Sequence, residues 1–441
     1  MQGELMDMTP GTIGLLGFVI LFLLIFLKVP IAFSFGLIGF LGFAYLSSFQ
    51  AAMTTLITTV WSYATSYVLM AVPLFILMGQ FAGYSRIGDE LYDTAAKWFG
   101  RLPGGLAIAT VWGSAGFAAC TGSSGAGILT FAPIAYKPMK NTGYDKRLIF
   151  GTLCCGATMG GLIPPSITFI IYGSITDESV GKLFMAGVFP GILEAALYSA
   201  IIIVLGVYGI WSAPAGTSVS FKEKLISLKG VWGFFIIMTL VMGGIYLGFF
   251  TPTEAAGIGA TGALLILLSR RGFRWAPIHS AMMDCMRTCC MVFTIVICSV
   301  VFSYFITLTG LNFQVLDLIS ASGASPMIIL WLMLLLMFLM GFIMPVTSII
   351  VLIVPFVYPI VTDLFGFSGI WFGVLVCTIA EIALVTPPIG MNLFTTMGLF
   401  QKEATAGDLF QGVMPFIVAD IIRLILLVVF PSICLWLPGR M

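Results

Sequence analysis

The sequence predicts an all-α polytopic membrane protein built from two inverted repeats. Three observations carry this. The 441 residues are 60% hydrophobic and only 8% charged, with a mean hydropathy of +1.13, whereas a soluble domain carries about 25% charge. Two long apolar segments, near 148–172 and 370–395, are each interrupted by a proline pair, Pro164-Pro165 and Pro387-Pro388. Landmarks also recur at a nearly constant offset along almost the whole chain.

That recurrence aligns two halves of low identity. Val29-Pro30-Ile31-Ala32 answers to Thr251-Pro252-Thr253-Glu254 (252 − 30 = 222), Gly88 to Gly310 (222) and Pro103 to Pro326 (223). The proline pairs are also 223 apart, and Gly187-Val188-Phe189-Pro190 answers to Gly412-Val413-Met414-Pro415 (225). Five matches in order are not expected by chance.

Copy one covers residues 1–210. It opens with a span near 11–27, a turn at Lys28-Val29-Pro30 and a second span near 31–47. A third element, 51–84, is longer than one span needs, so part of it can lie in the interface. The polar stretch 85–101 reads as an amphipathic surface helix. Residues 103–140 form a hairpin: two half-length apolar helices flank the small polar tip Thr121-Gly122-Ser123-Ser124-Gly125. A broken helix, 148–173, and a span, 184–208, complete the copy. A linker, 211–230, follows. Copy two, 231–441, repeats the order: spans near 231–250 and 253–268, an element near 281–309, and a hairpin 326–362 with Met344-Pro345-Val346-Thr347-Ser348 at its tip. Its broken helix is 370–395 and its last span 411–437.

Orientation follows from lysine and arginine. With the N-terminus outside, only Lys182 and Arg440 of 19 basic residues fall outside and Arg423 lies within a span, leaving 19 − 3 = 16 inside. This needs both hairpins to re-enter without crossing. Each copy then crosses five times, one crossing being the broken helix, and an odd number inverts the second copy relative to the first.

The breaks carry the chemistry. A proline lacks an amide donor, clashes with the preceding turn and drives its predecessor out of the α region; Gly160-Gly161 makes unwinding cheaper still. In lipid, such a break is tolerated only inside protein or along a cavity. Carbonyls freed at the end of the first half-helix can hold a cation, and amides opening the second can face an anion. Each hairpin tip is expected to pair with one break. Candidate Na⁺ ligands are therefore Thr121, Gly122, Ser123 and Ser124 with Gly161 and Pro164, and Met344, Thr347 and Ser348 with Thr386 and Gly390. Candidate substrate contacts are Ser123, Pro165, Ser166, Thr347, Pro388 and Asn392.

Ionisable residues at membrane depth are functional candidates by default. Glu254 stands at capping-box spacing from Thr251 and reads first as a helix start. Asp420 and Arg423 are three apart on one helix face and read as a structural ion pair. Glu194 is open to either reading; Glu381 either tunes a cation site or pairs structurally.

Signals of other classes are weak. The nine cysteines fall mostly in apolar segments, where cysteine is a small hydrophobe. Cys285, Cys289 and Cys290 have no second ligand cluster and His279 is the sole histidine, so no transition-metal site is expected, and no cofactor beyond a coupling Na⁺. A net charge of +1 and the lack of a basic, aromatic-laced cluster exclude nucleic acid. No nucleophile elbow, Walker loop or zincin motif marks an enzyme. Glu4 and Asp7, with no basic residue beside them, are wrong for a cleaved signal peptide, so the first apolar run reads as a retained span.

Gly161-Leu162-Ile163-Pro164-Pro165-Ser166, Thr386-Pro387-Pro388-Ile389-Gly390-Met391-Asn392-Leu393-Phe394 and Thr251-Pro252-Thr253-Glu254-Ala255-Ala256 resemble the signatures of the large membrane subunit of tripartite ATP-independent periplasmic (TRAP) transporters. The resemblance runs from the first span to Pro431. It implies a Na⁺-driven importer of organic anions (a C4-dicarboxylate, sialic acid or a similar carboxylate) in a bacterial inner membrane. It implies a periplasmic substrate-binding protein and a small four-helix membrane subunit as partners, with lipid around them. It also implies an elevator, in which hairpins and broken helices move against scaffold spans at 11–101 and 231–310. No small-subunit sequence precedes the first span, so that subunit is expected as a separate polypeptide. No lysine or arginine lies in a hairpin tip or break, so a substrate-binding arginine is not carried over. The alternatives are a stand-alone Na⁺- or H⁺-coupled anion symporter of the same fold and, in another class, a channel or intramembrane enzyme.

Overall fold

The computed structural model describes residues 9–216, 219–321 and 323–441; Glu4 and Asp7 lie outside them. All secondary structure among the described residues is helical. The first half contains α1 (Pro10–Phe26), α2 (Ile31–Leu46), α3 (Phe49–Ala64), α4 (Ala71–Tyr84), α5 (Ile87–Phe99), α6 (Gly105–Thr121), α7 (Ser124–Asn141), α8 (Lys146–Gly156), α9 (Ile167–Thr176) and α10 (Val180–Val207). The connection carries α11 (Phe221–Ser227). The second half contains α12 (Trp232–Met238), continued by a π turn into α13 (Gly244–Tyr246), then α14 (Pro252–Arg271), α15 (Trp275–Leu308), α16 (Leu311–Ala321), α17 (Pro326–Gly341), α18 (Val346–Pro359), α19 (Gly369–Val385), α20 (Met391–Leu399), α21 (Ala406–Val429) and α22 (Ser432–Leu435).

Five of these segments are long and apolar enough to cross a bilayer on their own: Val180–Val207, Pro252–Arg271, Trp275–Leu308, Val346–Leu364 and Ala406–Val429. Shorter apolar helices of 10–17 residues accompany them. Leu15, Val19 and Leu23 on α1 are more than half exposed, as expected of a lipid-facing side. The chain is a multi-pass membrane protein.

Three expectations need correction. Residues 51–84 are not one element. The chain breaks between α3 and α4, and α14 catches the turn: Thr253 donates to the Tyr67 carbonyl at 3.0 Å, and the Tyr67 and Thr251 hydroxyls lie 3.0 Å apart. Its counterpart in the second half, α15, is a single helix of 34 residues starting at Trp275, earlier than the 281 expected. The arms of the first hairpin are not half-length either. α6 and α7 have 17 and 18 residues, about 26 Å each at 1.5 Å per residue, because apolar sequence runs on to the basic rim at Lys137 and Lys140.

The linker also contains structure. Ser220 and Glu223 form a capping box that starts α11, and the Ser220 amide and hydroxyl hold the Glu223 carboxyl below its usual range. α11 docks on α5 through a Lys224 donation to the Trp98 carbonyl at 3.2 Å and a Thr94 donation to the Ser227 carbonyl at 3.1 Å. α5 has Asp89 and Glu90 in its first turn and Lys97 in its last, complementing the helix dipole. Arg270 of α14 pairs with Glu90 at 2.5 Å.

The remaining packing positions the breaks. α2 lies along α15 and α4 along α14. α8 and α21 touch backbone to backbone at Gly151 and Gly412, where a Cβ on either would overlap the other helix. Small residues at such crossings let membrane helices approach closely.

Candidate functional site

α8 ends at Gly156, a 3₁₀ turn covers Thr158–Gly161, and the chain runs non-helically through Pro164-Pro165 before Ser166 caps α9. α19 ends at Val385 and α20 begins at Met391, with Gly390 as its cap. Both proline pairs contain a cis peptide bond. Each break divides one apolar segment into two half-helices whose facing carbonyls and amides lack regular intrahelical partners.

The tips meet the breaks. Gly122 adopts φ +60° at the end of α6, a left-handed conformation glycine takes without strain. Its carbonyl accepts from the Ile167 amide at 3.3 Å. A Cβ on Gly160 would lie 2.7 Å from the Ser123 carbonyl carbon, so tip one sits on break one backbone to backbone. In the second half, Gly341 at the end of α17 packs against Ala383, just before break two. The second arms cross over: α18 packs on α9 and α7 on α20.

One cavity of about 620 Å³ collects these parts. Gly122, Ser123, Ser124 and Gly125 of tip one line it, with Pro345, Val346 and Thr347 of tip two. Ile167 and Thr168 line it after break one; Leu384, Met391, Asn392 and Thr395 do so around break two. The far wall is α15, through Thr288, Met291, Val292, Thr294 and Ile295, and the start of α2, through Pro30 to Phe33. The first residues of five helices, α2, α7, α9, α18 and α20, therefore open onto one space. Helix N-termini carry partial positive charge and free amides, which suit an anion. No lysine or arginine is among the lining residues.

The candidate residues divide. Gly122, Ser123, Ser124, Thr347 and Asn392 line the cavity. The buried Asn392 amide nitrogen has no hydrogen-bond partner among the described residues. Gly161, Pro165, Ser166, Met344, Ser348, Thr386, Pro388, Gly390 and Thr121 do not line it. Ser166 is committed within the break: its hydroxyl donates to the Gly161 carbonyl at 2.6 Å and accepts from the Phe169 amide at 3.4 Å. Thr121 and Thr386 donate to their own helices, at the Phe117 and Ile382 carbonyls. Ser348 is fully buried beside tip two, its hydroxyl without a partner among the described residues. Pro388 is exposed. Pro164 faces a separate apolar pocket with Ile163, Met185 and Tyr246. Thr288, Thr294 and Thr395 were not anticipated. Their signal was a hydroxyl in an otherwise apolar helix, but such threonines usually satisfy a carbonyl four residues back, as these do.

Behind break one lies a buried ionic cluster. Arg423 pairs with Glu194 and, at 3.1 Å, with Asp420. Tyr198 donates to Asp420 at 2.7 Å, and Thr158 of the 3₁₀ turn donates to Glu194 at 2.9 Å. Asp420 and Arg423 form the ion pair their spacing suggests, and Glu194 joins it. Glu254 forms the capping box with Thr251 at the start of α14.

The family described as the tripartite ATP-independent periplasmic transporter, DctM component, matches residues 18–433. The chain belongs to this family. It is 33% identical over 375 residues to the C4-dicarboxylate TRAP transporter large permease protein DctM of Pseudomonas aeruginosa, covering 85% of this chain and 86% of that protein. It is 28% identical over 447 residues to the DctM large permease of Vibrio cholerae, covering 96% of each. Its fold resembles the crystal structure of the Alcanivorax borkumensis YdaH transporter, with a TM-score of 0.64 at 14% identity over 87% of this chain and 89% of that one. A member of the DctM family is a subunit of a transporter rather than an enzyme.

Proposed function

We propose that this chain is the large membrane subunit of a Na⁺-coupled, binding-protein-dependent importer of organic anions in a bacterial inner membrane. The observation that carries this is the convergence of five helix N-termini on one cavity without a basic side chain. Amides, hydroxyls and a bound cation would together hold a carboxylate there. A C4-dicarboxylate suits the cavity and is the substrate class in the names of both large permeases above; sialic acid is the larger alternative. Backbone carbonyls and hydroxyls at Gly122, Ser123, Ser124 and Gly161, and at Met344, Thr347, Ser348, Thr386 and Gly390, form the two Na⁺ regions, and Pro164 shapes the first. Asn392 contacts substrate, with Ser123 and Thr347.

The two halves are inverted repeats with the N-terminus outside, a reading supported by the distribution of basic residues. Tips and breaks move together as an elevator against α1, α2, α4, α14 and α15. A small four-helix subunit packs on the scaffold side, and a periplasmic binding protein delivers the substrate.

Uptake of labelled succinate or sialic acid into proteoliposomes tests this, with the chain and its small subunit reconstituted. Uptake is expected only with both an inward Na⁺ gradient and the cognate binding protein. Na⁺-driven uptake without the binding protein would overturn the tripartite requirement; uptake indifferent to Na⁺ would overturn the coupling. Ser124→Val and Thr347→Val are each expected to raise the Na⁺ concentration for half-maximal uptake several-fold. An unchanged Na⁺ dependence in both would remove the tips from the ion sites.

A further inference from the structure

Glu381 lies in the last turn but one of α19, 2% exposed. Its carboxylate sits against the backbone of the other half of the molecule: a Cβ on Gly161 would overlap it. The Ser124 hydroxyl of tip one lies beside it, and the residue lines the cavity. One carboxylate oxygen, Oε2, is buried without a hydrogen-bond partner among the described residues. One turn earlier on the same face, the fully buried Thr378 hydroxyl is also without a partner among them.

Basic side chains do not satisfy this group. Among the described residues no ion pair includes Glu381, and the Arg423 guanidinium is held by Glu194 and Asp420. Those three leave one negative charge over, and Glu381 adds another. A buried carboxylate with neither counter-charge nor full hydrogen bonding is strongly disfavoured. The halves are also unequal. At the repeat offset of 223 the position matching Glu381 is Thr158 (381 − 223), and Thr158 is spent on Glu194.

We propose that Glu381 is the charged ligand of a monovalent cation held between α19, the Ser124 hydroxyl and the Gly161 turn. The cation region at break one then contains a formal negative charge donated by the second half, whereas the region at break two is built from neutral oxygens alone. The first binds Na⁺ more tightly and is filled first, which fixes tip one on break one before substrate arrives. This rests on the Na⁺-coupled reading above.

The test uses the purified chain with its small subunit in detergent. Thermal stabilisation is measured as NaCl replaces choline chloride at constant ionic strength, alongside binding of ²²Na⁺. In the native protein Na⁺ is expected to raise the melting temperature with a defined midpoint. In Glu381→Gln, which keeps the size of the side chain, that midpoint rises at least tenfold and about one equivalent of tightly bound ²²Na⁺ is lost. Glu381→Asp, which keeps the charge but withdraws it by one methylene, is expected to fall between them and serves if the glutamine variant does not fold. An unchanged midpoint and stoichiometry in the glutamine variant, or in the aspartate variant if it alone folds, would overturn the assignment and leave Na⁺ coupling standing. A native protein that neither responds to Na⁺ nor binds it would overturn both.

Discussion

Replacing Arg423 with methionine is expected to abolish accumulation of folded protein. The guanidinium is 1% exposed and is shared by Glu194 and Asp420, which are equally buried. Its removal leaves two carboxylates side by side in the apolar interior. Breaking a buried ionic group by deleting one partner costs about 3–5 kcal/mol, a large part of the about 5–15 kcal/mol that separates folded from unfolded protein in general. The contacts are also architectural, since Glu194 ties α10 to the turn at Thr158 and Asp420 ties α21 to Tyr198 of α10. The same physics predicts rescue. Arg423→Met combined with Glu194→Gln and Asp420→Asn removes all three charges together, and folded protein is expected to return, since replacing a whole buried ionic group is often near neutral. Size-exclusion profiles and melting temperatures in detergent measure both outcomes. A single Arg423→Met variant as stable as the native protein would show that the cluster contributes nothing to the fold.

The second large effect is expected at Gly122. Alanine there would place a side chain at φ +60°, which L-residues avoid, and its Cβ would lie 2.6 Å from the Pro165 carbonyl oxygen. That oxygen belongs to backbone and cannot swing aside, so tip one must lift off break one. Uptake in proteoliposomes is expected to fall at least tenfold while the protein still inserts and purifies, because the displaced segment is a tip rather than a packed helix. Gly127→Ala is the control. It lies in the first turn of α7, where a Cβ would make ordinary contact with Ala157 at 3.6 Å, and uptake should persist. Native uptake in Gly122→Ala would separate the tip–break contact from transport.

Much of this molecule was legible in the chain because the governing physics is local. A proline lacks an amide donor wherever it stands, so Pro164-Pro165 and Pro387-Pro388 announce broken helices without reference to neighbours. A run of small hydroxyl residues inside an apolar segment announces a turn that lipid would not tolerate, hence the tips at 121–125 and 344–348. Thr251 and Glu254 are three residues apart, so their capping box needed no tertiary information.

What the sequence left open depended on contacts between distant residues. Both Ser166 and Ser124 are hydroxyls next to polar backbone, yet packing commits Ser166 to the Gly161 carbonyl and turns Ser124 to the cavity. Glu381 read evenly between structure and function, because its environment is set by Gly161, 220 residues away (381 − 161). The chain by itself determined where the backbone breaks and where polar groups enter the membrane, since those follow from residue chemistry within a few positions. Only the tertiary structure decided which tip meets which break, that five helix starts share one cavity, and which buried carboxylate lacks a counter-charge. Those outcomes rest on how helices far apart in sequence interlock, and no local pattern encodes them.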